Sequence, residues 1–191
     1  MRLLYLIRHA APDIQPNVPT PEWRLSQRGI DDARRLAEIA RPWKLQSIYS
    51  SVEPKAESTA LIVGDAAGLT VRVTQGFQEL RFEQWFDNAD EFSRAVRSIL
   101  ASPDVSTRGA ERASAAASRF EAGVRIVEEG PFPAAIVSHG RVLTAYLAQL
   151  LRIEDPFELW KSIPMPGWAC VDIEPAVPKL IEPFRGLEEV S

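Results

Sequence analysis

Two histidines occur in the 191 residues, and both close an apolar run. His9 follows RLLYLIR (residues 2–8), and His139 follows AAIVS (residues 134–138). Arg8 stands directly before the first histidine. A third junction of the same kind, YSSVEPKA (residues 49–56), carries Lys55. A guanidinium, an ammonium and two imidazoles around one point suit a phosphate. The guanidinium offers a fork of donors, and the ammonium a compact charge. Either histidine alone would read as a packing residue; the pair, with Arg8 attached, reads as a site. A metal held by His9 and His139 is the other chemistry to weigh. The chain has no H-x-x-x-H spacing, cysteine pair or other recognised ligand pattern to support it.

These residues can meet only if neighbouring strands deliver them. The pattern along the chain supplies such strands. Short β-rich runs alternate with longer helical patterns, which predicts a parallel sheet with crossover helices. The first strand spans about Arg2 to Ile7. A proline-rich loop leads to a helix capped near Ser26, whose apolar residues Ile30, Ala33, Leu36, Ala37 and Ala40 recur at helical spacing. LQSIYSS is the second strand. A helix from about Pro54 to Ala67 follows, closed by Gly68. TVRV (residues 70–73) is a short third strand. Residues 77–108 are the least patterned; a helix is expected from about Asp90 to Leu100. A long helix is expected from about Ala110 to Glu129, then the strand AAIVS and an amphipathic helix after Gly140. GWACVDIE alternates as an edge or antiparallel strand does. The tail is expected to add at most a short strand, KLI, before fraying. Ligands of open α/β sheets bind beyond the carboxyl ends of the strands. That is where Arg8, His9, Lys55 and His139 all fall.

Composition narrows the partners. With 46% hydrophobic and 25% charged residues the chain has the make-up of an ordinary globular domain, and no linker divides it, so a single domain over 1–191 is expected. A net charge of −4 gives no reason to expect nucleic acid or an anionic membrane as partner. Only five apolar residues separate Arg2 from Arg8, too few for an export signal, and no run approaches the roughly 20 apolar residues of a membrane span. Cys170 is the sole cysteine, so no intrachain disulfide can form. The expected setting is cytoplasmic.

Five stretches, in order, resemble the histidine phosphatase superfamily, also called phosphoglycerate-mutase-like. Arg8-His9-Ala10 stands where its signature has Arg-His-Gly. LSQRGIDDA (residues 25–33) corresponds to LTxxGxxQA, and SSVEPKAESTA (residues 50–60) to SSPLxRAxQTA. ELRFEQW (residues 79–85) is similar to an ExxxFGxW stretch, and VSHG (residues 137–140) is unchanged. The resemblance implies a three-layer α/β/α sandwich with a mostly parallel sheet and an antiparallel edge strand near 168–174. It also implies roles. His9 would be the nucleophile that forms a phosphohistidine, while Arg8, Lys55 and His139 would hold the phosphoryl oxygens. Glu79 would act as general acid and then base. Glu83, an extra carboxylate where glycine is usual, is the reserve candidate. Lys55 replaces an arginine, and an ammonium cannot grip two oxygens at once. Ala10 replaces a glycine.

The activity so implied is that of a metal-independent phosphatase without cofactor, hydrolysing a small phosphorylated substrate. A phosphoglycerate-type mutase and a phosphate-binding regulatory domain with weak or no activity are the alternatives. Mutases of this kind carry longer insertions and tails, which favours the compact phosphatase branch. Residues at about 86–110 would form an inserted cap that selects the substrate. Ser51, Gln15 and Asn17 could donate to phosphate but are assigned to solvent, and Glu111 lies near a loosely matching GES element.

Overall fold

The computed structural model of the chain describes residues 1–82, 85–86, 88–107 and 109–189. The elements follow the expected alternation: β1 (Leu3–Arg8), α1 (Gln27–Ala40), β2 (Ser47–Ser50), α2 (Pro54–Ala67) and β3 (Val71–Val73). Then come α3 (Ala89–Ala101), α4 (Ala113–Glu128), β4 (Ala134–Ser138), α5 (Gly140–Leu151), α6 (Pro156–Ser162), β5 (Gly167–Asp172) and β6 (Lys179–Gly186). One sheet runs β3-β2-β4-β1-β5-β6. Its first four strands are mutually parallel; β5 is antiparallel to β1, and β6 to β5.

Alternation along β1 explains the three layers, because successive side chains leave a strand on opposite faces. Leu4 and Leu6 are buried with Phe120, Val124, Leu143 and Leu147 of α4 and α5. Tyr5 and Ile7 are buried with Leu36, Ala60 and Val63 of α1 and α2. Full burial of each such side chain is worth about 1.5–3 kcal/mol. Both faces of the central strands are therefore covered, and β1, β2 and β4 can carry continuous apolar runs.

Local signals hold at the helix ends. Ser26 Oγ accepts from Gly29 N at 3.0 Å, which caps α1 as its sequence predicts. Gly68 closes α2 at φ +68°.

One expectation needs correction, and one helix adds to the expected set. The tail does not fray after KLI: β6 extends for eight residues and pairs along β5, which makes β6 the outer edge. The helix α6 was not anticipated; Asp155 caps it by accepting from Phe157 N and Glu158 N, a signal lost among charged neighbours. Within the segment expected as a cap, α3 packs one face into the core. Val96, Ile99 and Leu100 are buried in the cluster that holds α4 and α5. Its aromatics interlock edge to face, with Phe82–Phe92 ring centroids 5.8 Å apart and Phe92–Trp160 also 5.8 Å apart. No described helix is long and apolar enough to cross a membrane.

Candidate active site

Adjacency of β2, β4 and β1 brings the three junctions together. Arg8 pairs with Ser138, while Val137 pairs with Ile7 on one side and Ser50 on the other. The strands thus end level with one another. The ladder runs one residue further on each side: His9 N donates to Ser138 O and Ser51 N to Val137 O, each at 3.0 Å.

His9 is 6% exposed, and its Nδ1 lies 2.7 Å from Ala10 O. A carbonyl only accepts, so Nδ1 carries the proton and Nε2 keeps its lone pair. Burial, followed by the charges of Arg8, Lys55 and Arg141, pulls the imidazole down to about 3 despite the opposing Ala10 bond. His9 is accordingly neutral at physiological pH. The turn after it is fastened to the start of α1, where Ala11 O accepts from Ser26 N at 3.0 Å and from Ser26 Oγ at 3.1 Å. Gly29 is required there, because a Cβ would come within 2.0 Å of Ala11 O. Ala10, in place of the usual glycine, is accommodated fully buried, with its N–H donating to Thr59 Oγ1 at 3.1 Å.

Arg8 Nη1 donates to Ile163 O at 2.7 Å, whereas its Nε is buried and has no partner. The guanidinium lies against Gly140, at which a Cβ would stand 3.2 Å from Nε and 3.3 Å from Cζ. His139 is fully buried, with its ring 5.1 Å from that of His9. Its Nε2 is 2.9 Å from Ser51 Oγ, and its Nδ1 has no partner. Burial, reinforced first by His9 and then by Lys55, Arg141 and Arg8, holds His139 well below the usual histidine range. Ser51 is thus no solvent-facing loop residue: it is fully buried against His139.

Lys55 is 3% exposed and reaches Thr20 O at 2.9 Å and Glu53 Oε2 at 2.5 Å. Glu53 is equally buried. Its Oε1 accepts from Glu79 N at 2.7 Å and lies 3.6 Å from His139 Nε2. Burial pushes the Glu53 carboxyl up, against the pull of Lys55.

Glu79 crosses to the start of α5. Its Oε1 accepts from Val142 N at 2.9 Å and from Leu80 N at 2.8 Å; its Oε2 accepts from Arg141 N at 3.2 Å. A carboxylate here fills the role of a helix cap, in the field that favours anions. Arg141 closes the arrangement with its Nε 3.3 Å from Glu79 Oε2 and its guanidinium 4.6 Å over the Phe82 ring. The loop bearing Glu79 is pinned from α4. Arg119 Nη1 donates to Gly76 O at 2.6 Å and Gln78 O at 3.1 Å, while Glu111 pairs with the same guanidinium at 3.0 Å. Glu111 therefore supports the loop from outside the site. Glu83 lies outside the described residues.

A cleft of about 770 Å³ opens beside the Glu53 end of this cluster. Trp23, Arg24, Gln78 and Arg81 line it, together with Val52 and Pro54. Gln15 also lines it, its amide on Asp13 Oδ2 at 2.7 Å, whereas Asn17 is exposed elsewhere on that loop. The Trp23 ring is fixed by donating to Val18 O at 3.0 Å.

The arrangement has a counterpart among known proteins. Residues 4–179 match the histidine phosphatase superfamily (branch 1). The chain belongs to that superfamily. A mycobacterial glucosyl-3-phosphoglycerate phosphatase shares the fold at a TM-score of 0.78 and 21% identity, covering 95% of this chain and 98% of that one. A phosphoserine phosphatase from Entamoeba histolytica, in complex with 3-phosphoglyceric acid, does so at 0.73 and 21% identity, covering 97% and 98%. No curated protein sequence matches the chain.

Within a histidine phosphatase fold, Glu53 and Arg141 are the residues that sequence reasoning missed. Glu53 stands where the SSPLxRAxQTA stretch has leucine, two positions before Lys55. A carboxylate replacing an apolar residue at a strand end was the signal available. For Arg141 it was a cation in the first turn of a helix, where the dipole disfavours positive charge unless an anion accompanies it.

Proposed function

We propose that the protein is a metal-independent phosphatase that hydrolyses a small phosphate monoester through a phosphohistidine on His9. One observation carries this reading: a buried, neutral His9 with its proton on Nδ1, and so a free lone pair on Nε2, amid Arg8, Lys55 and His139. In the first step Nε2 attacks phosphorus, the P–O bond to the leaving group breaks, and Glu79 gives that oxygen its proton. In the second, water attacks phosphorus as Glu79 takes its proton; the P–N bond breaks and its electron pair returns to Nε2. Charge on the phosphoryl oxygens is met by Lys55, Arg8 Nε and His139 Nδ1; the latter two are buried without a hydrogen-bond partner, as is Arg141 Nε beside Glu79. The α5 amides now on Glu79 suit a phosphoryl oxygen equally well, and an oxygen that took them would release the carboxylate toward the leaving group.

The cleft beside Glu53 is the place for that leaving group. Its Trp23 face and its cations Arg24 and Arg81 suit a small organic group with polar substituents. The relatives named for glucosyl-3-phosphoglycerate and phosphoserine act on esters of this size, which supports a small-molecule substrate.

Steady-state hydrolysis of an aryl phosphate and a panel of small monoesters, with and without chelator, tests the reading. Chelator-resistant turnover that vanishes in His9→Ala is expected. Turnover that survives in His9→Ala, or that requires a metal, overturns it.

A further inference from the structure

We infer that Glu53 is a positioning residue of this site, holding the Lys55 ammonium in register for the phosphoryl group. The inference rests on the phosphatase reading above and deepens it. Glu53 is 5% exposed, and an ion at that depth is costly unless its partners are closely arranged. Each oxygen has a separate task. Oε2 takes Lys55 Nζ at 2.5 Å; Oε1 takes Glu79 N at 2.7 Å and stands 3.6 Å from His139 Nε2. One carboxylate therefore ties the start of α2, which delivers Lys55, to the loop after β3, which delivers Glu79.

The need for such a tie follows from Lys55. A guanidinium fork fixes its own orientation on a phosphate, whereas an ammonium on a four-carbon stem does not. Of the three Nζ protons, Glu53 takes one and Thr20 O takes another, which aims the third. His139 is oriented by Ser51 instead: Ser51 Oγ accepts from Glu53 N at 3.2 Å and turns its own hydrogen to His139 Nε2 at 2.9 Å, which leaves the proton on Nδ1, the nitrogen without a partner. Glu53 does not touch the phosphoryl group in this scheme; it acts through Lys55, which does. Its negative charge also offsets that of Lys55, so ground-state attraction for phosphate is not what it supplies.

The test compares wild type with Glu53→Gln and Glu53→Asp, alone and in a Lys55→Ala background. Glu53→Gln is expected to lower kcat about tenfold or more with KM within about threefold, the pattern of an interaction made in the transition state. Glu53→Asp keeps the charge but withdraws it by one methylene, and kcat is expected to fall between the two. In the Lys55→Ala background Glu53→Gln should cost less than about twofold more, since the two residues act as one unit. Orthovanadate, which mimics the five-coordinate phosphorus, is expected to bind Glu53→Gln about tenfold more weakly while inorganic phosphate changes by less than about threefold. A purely structural pair would lower both affinities alike. Wild-type kcat in Glu53→Gln, or penalties that multiply with those of Lys55→Ala, would overturn the inference. Should Glu53→Gln fail to fold, unchanged kcat in Glu53→Asp would overturn it equally. If the wild type binds both anions yet hydrolyses nothing, the phosphatase reading fails, and the vanadate comparison still decides Glu53 on its own. A wild type that binds neither anion defeats the clamp and the inference with it.

Discussion

The floor of the site and the wall beside it are built on opposite terms. On the floor His9, Ser51, Glu53, Lys55 and His139 are all buried, and each side chain has a hydrogen bond to a specific partner. On the wall Gln15, Arg24 and Arg81 are exposed, and Trp23 is anchored by backbone carbonyls of its own loop and by an edge-to-face contact with Trp85. The floor sits on strand ends held level by the sheet, and the wall on the long connections after β1 and β3. On the proposed function, the buried, charge-bearing floor is preorganised for a group that never varies, the phosphoryl. An exposed wall of mixed chemistry can change its ligand without disturbing that floor. The proposal thereby separates chemistry from selectivity in space.

That separation can be broken, and the largest effects are expected on the floor. His9→Ala should lower turnover by about a thousandfold or more on every ester, because no other group here can form the covalent intermediate. A loss that depended strongly on the ester would mean that floor and wall are not independent. Arg8→Ala should cost about a hundredfold or more, again irrespective of the leaving group. Gly140→Ala pushes a methyl to 3.2 Å from Arg8 Nε and should reproduce part of that loss, about tenfold, with little change in Tm. Trp23→Ala and Arg81→Ala should do the reverse. They should raise KM about tenfold for the preferred ester and leave kcat on a simple aryl phosphate within about threefold.

The smallest expected effect concerns stability. Both imidazoles are held below the ordinary histidine value, so the unfolded chain takes up protons that the folded one refuses. Their stabilising contribution is complete above about pH 6.5 and is lost as pH falls toward the folded values. Each histidine should cost about 1 kcal/mol between pH 6.5 and 5.5. Chemical denaturation at the two pH values should therefore show a smaller drop for His9→Asn than for wild type.

The same division governs what could be read from the sequence. Strand ends announce themselves, because an apolar run stops at a charged or titratable residue; Arg8, His9 and His139 were legible for that reason. The crossover pattern gave a parallel sheet and the family resemblance its three layers, but the order of the strands came only with the fold. Lys55 was legible by register with its motif, but its partner Glu53 was passed over despite standing where the motif has leucine, because an acid just before a helix reads as an ordinary cap. Only the fold reveals that this acid faces inward. The wall was illegible for a different reason. Trp23 and Arg81 come from loops without periodicity, and nothing local says that the two line one cleft. The eight-residue β6 was underestimated because an edge strand needs no apolar run, only a partner in β5.

The most direct test of the central claim is to trap the covalent intermediate. The enzyme is mixed with a turned-over ester labelled on its phosphoryl group, quenched in alkali, which spares a phosphoramidate, and digested for peptide mapping. The account predicts label on the peptide containing His9, labile to acid, absent from His9→Ala and unchanged by chelator. Label on any other side chain, or steady turnover with no labelled peptide under single-turnover conditions, would contradict it.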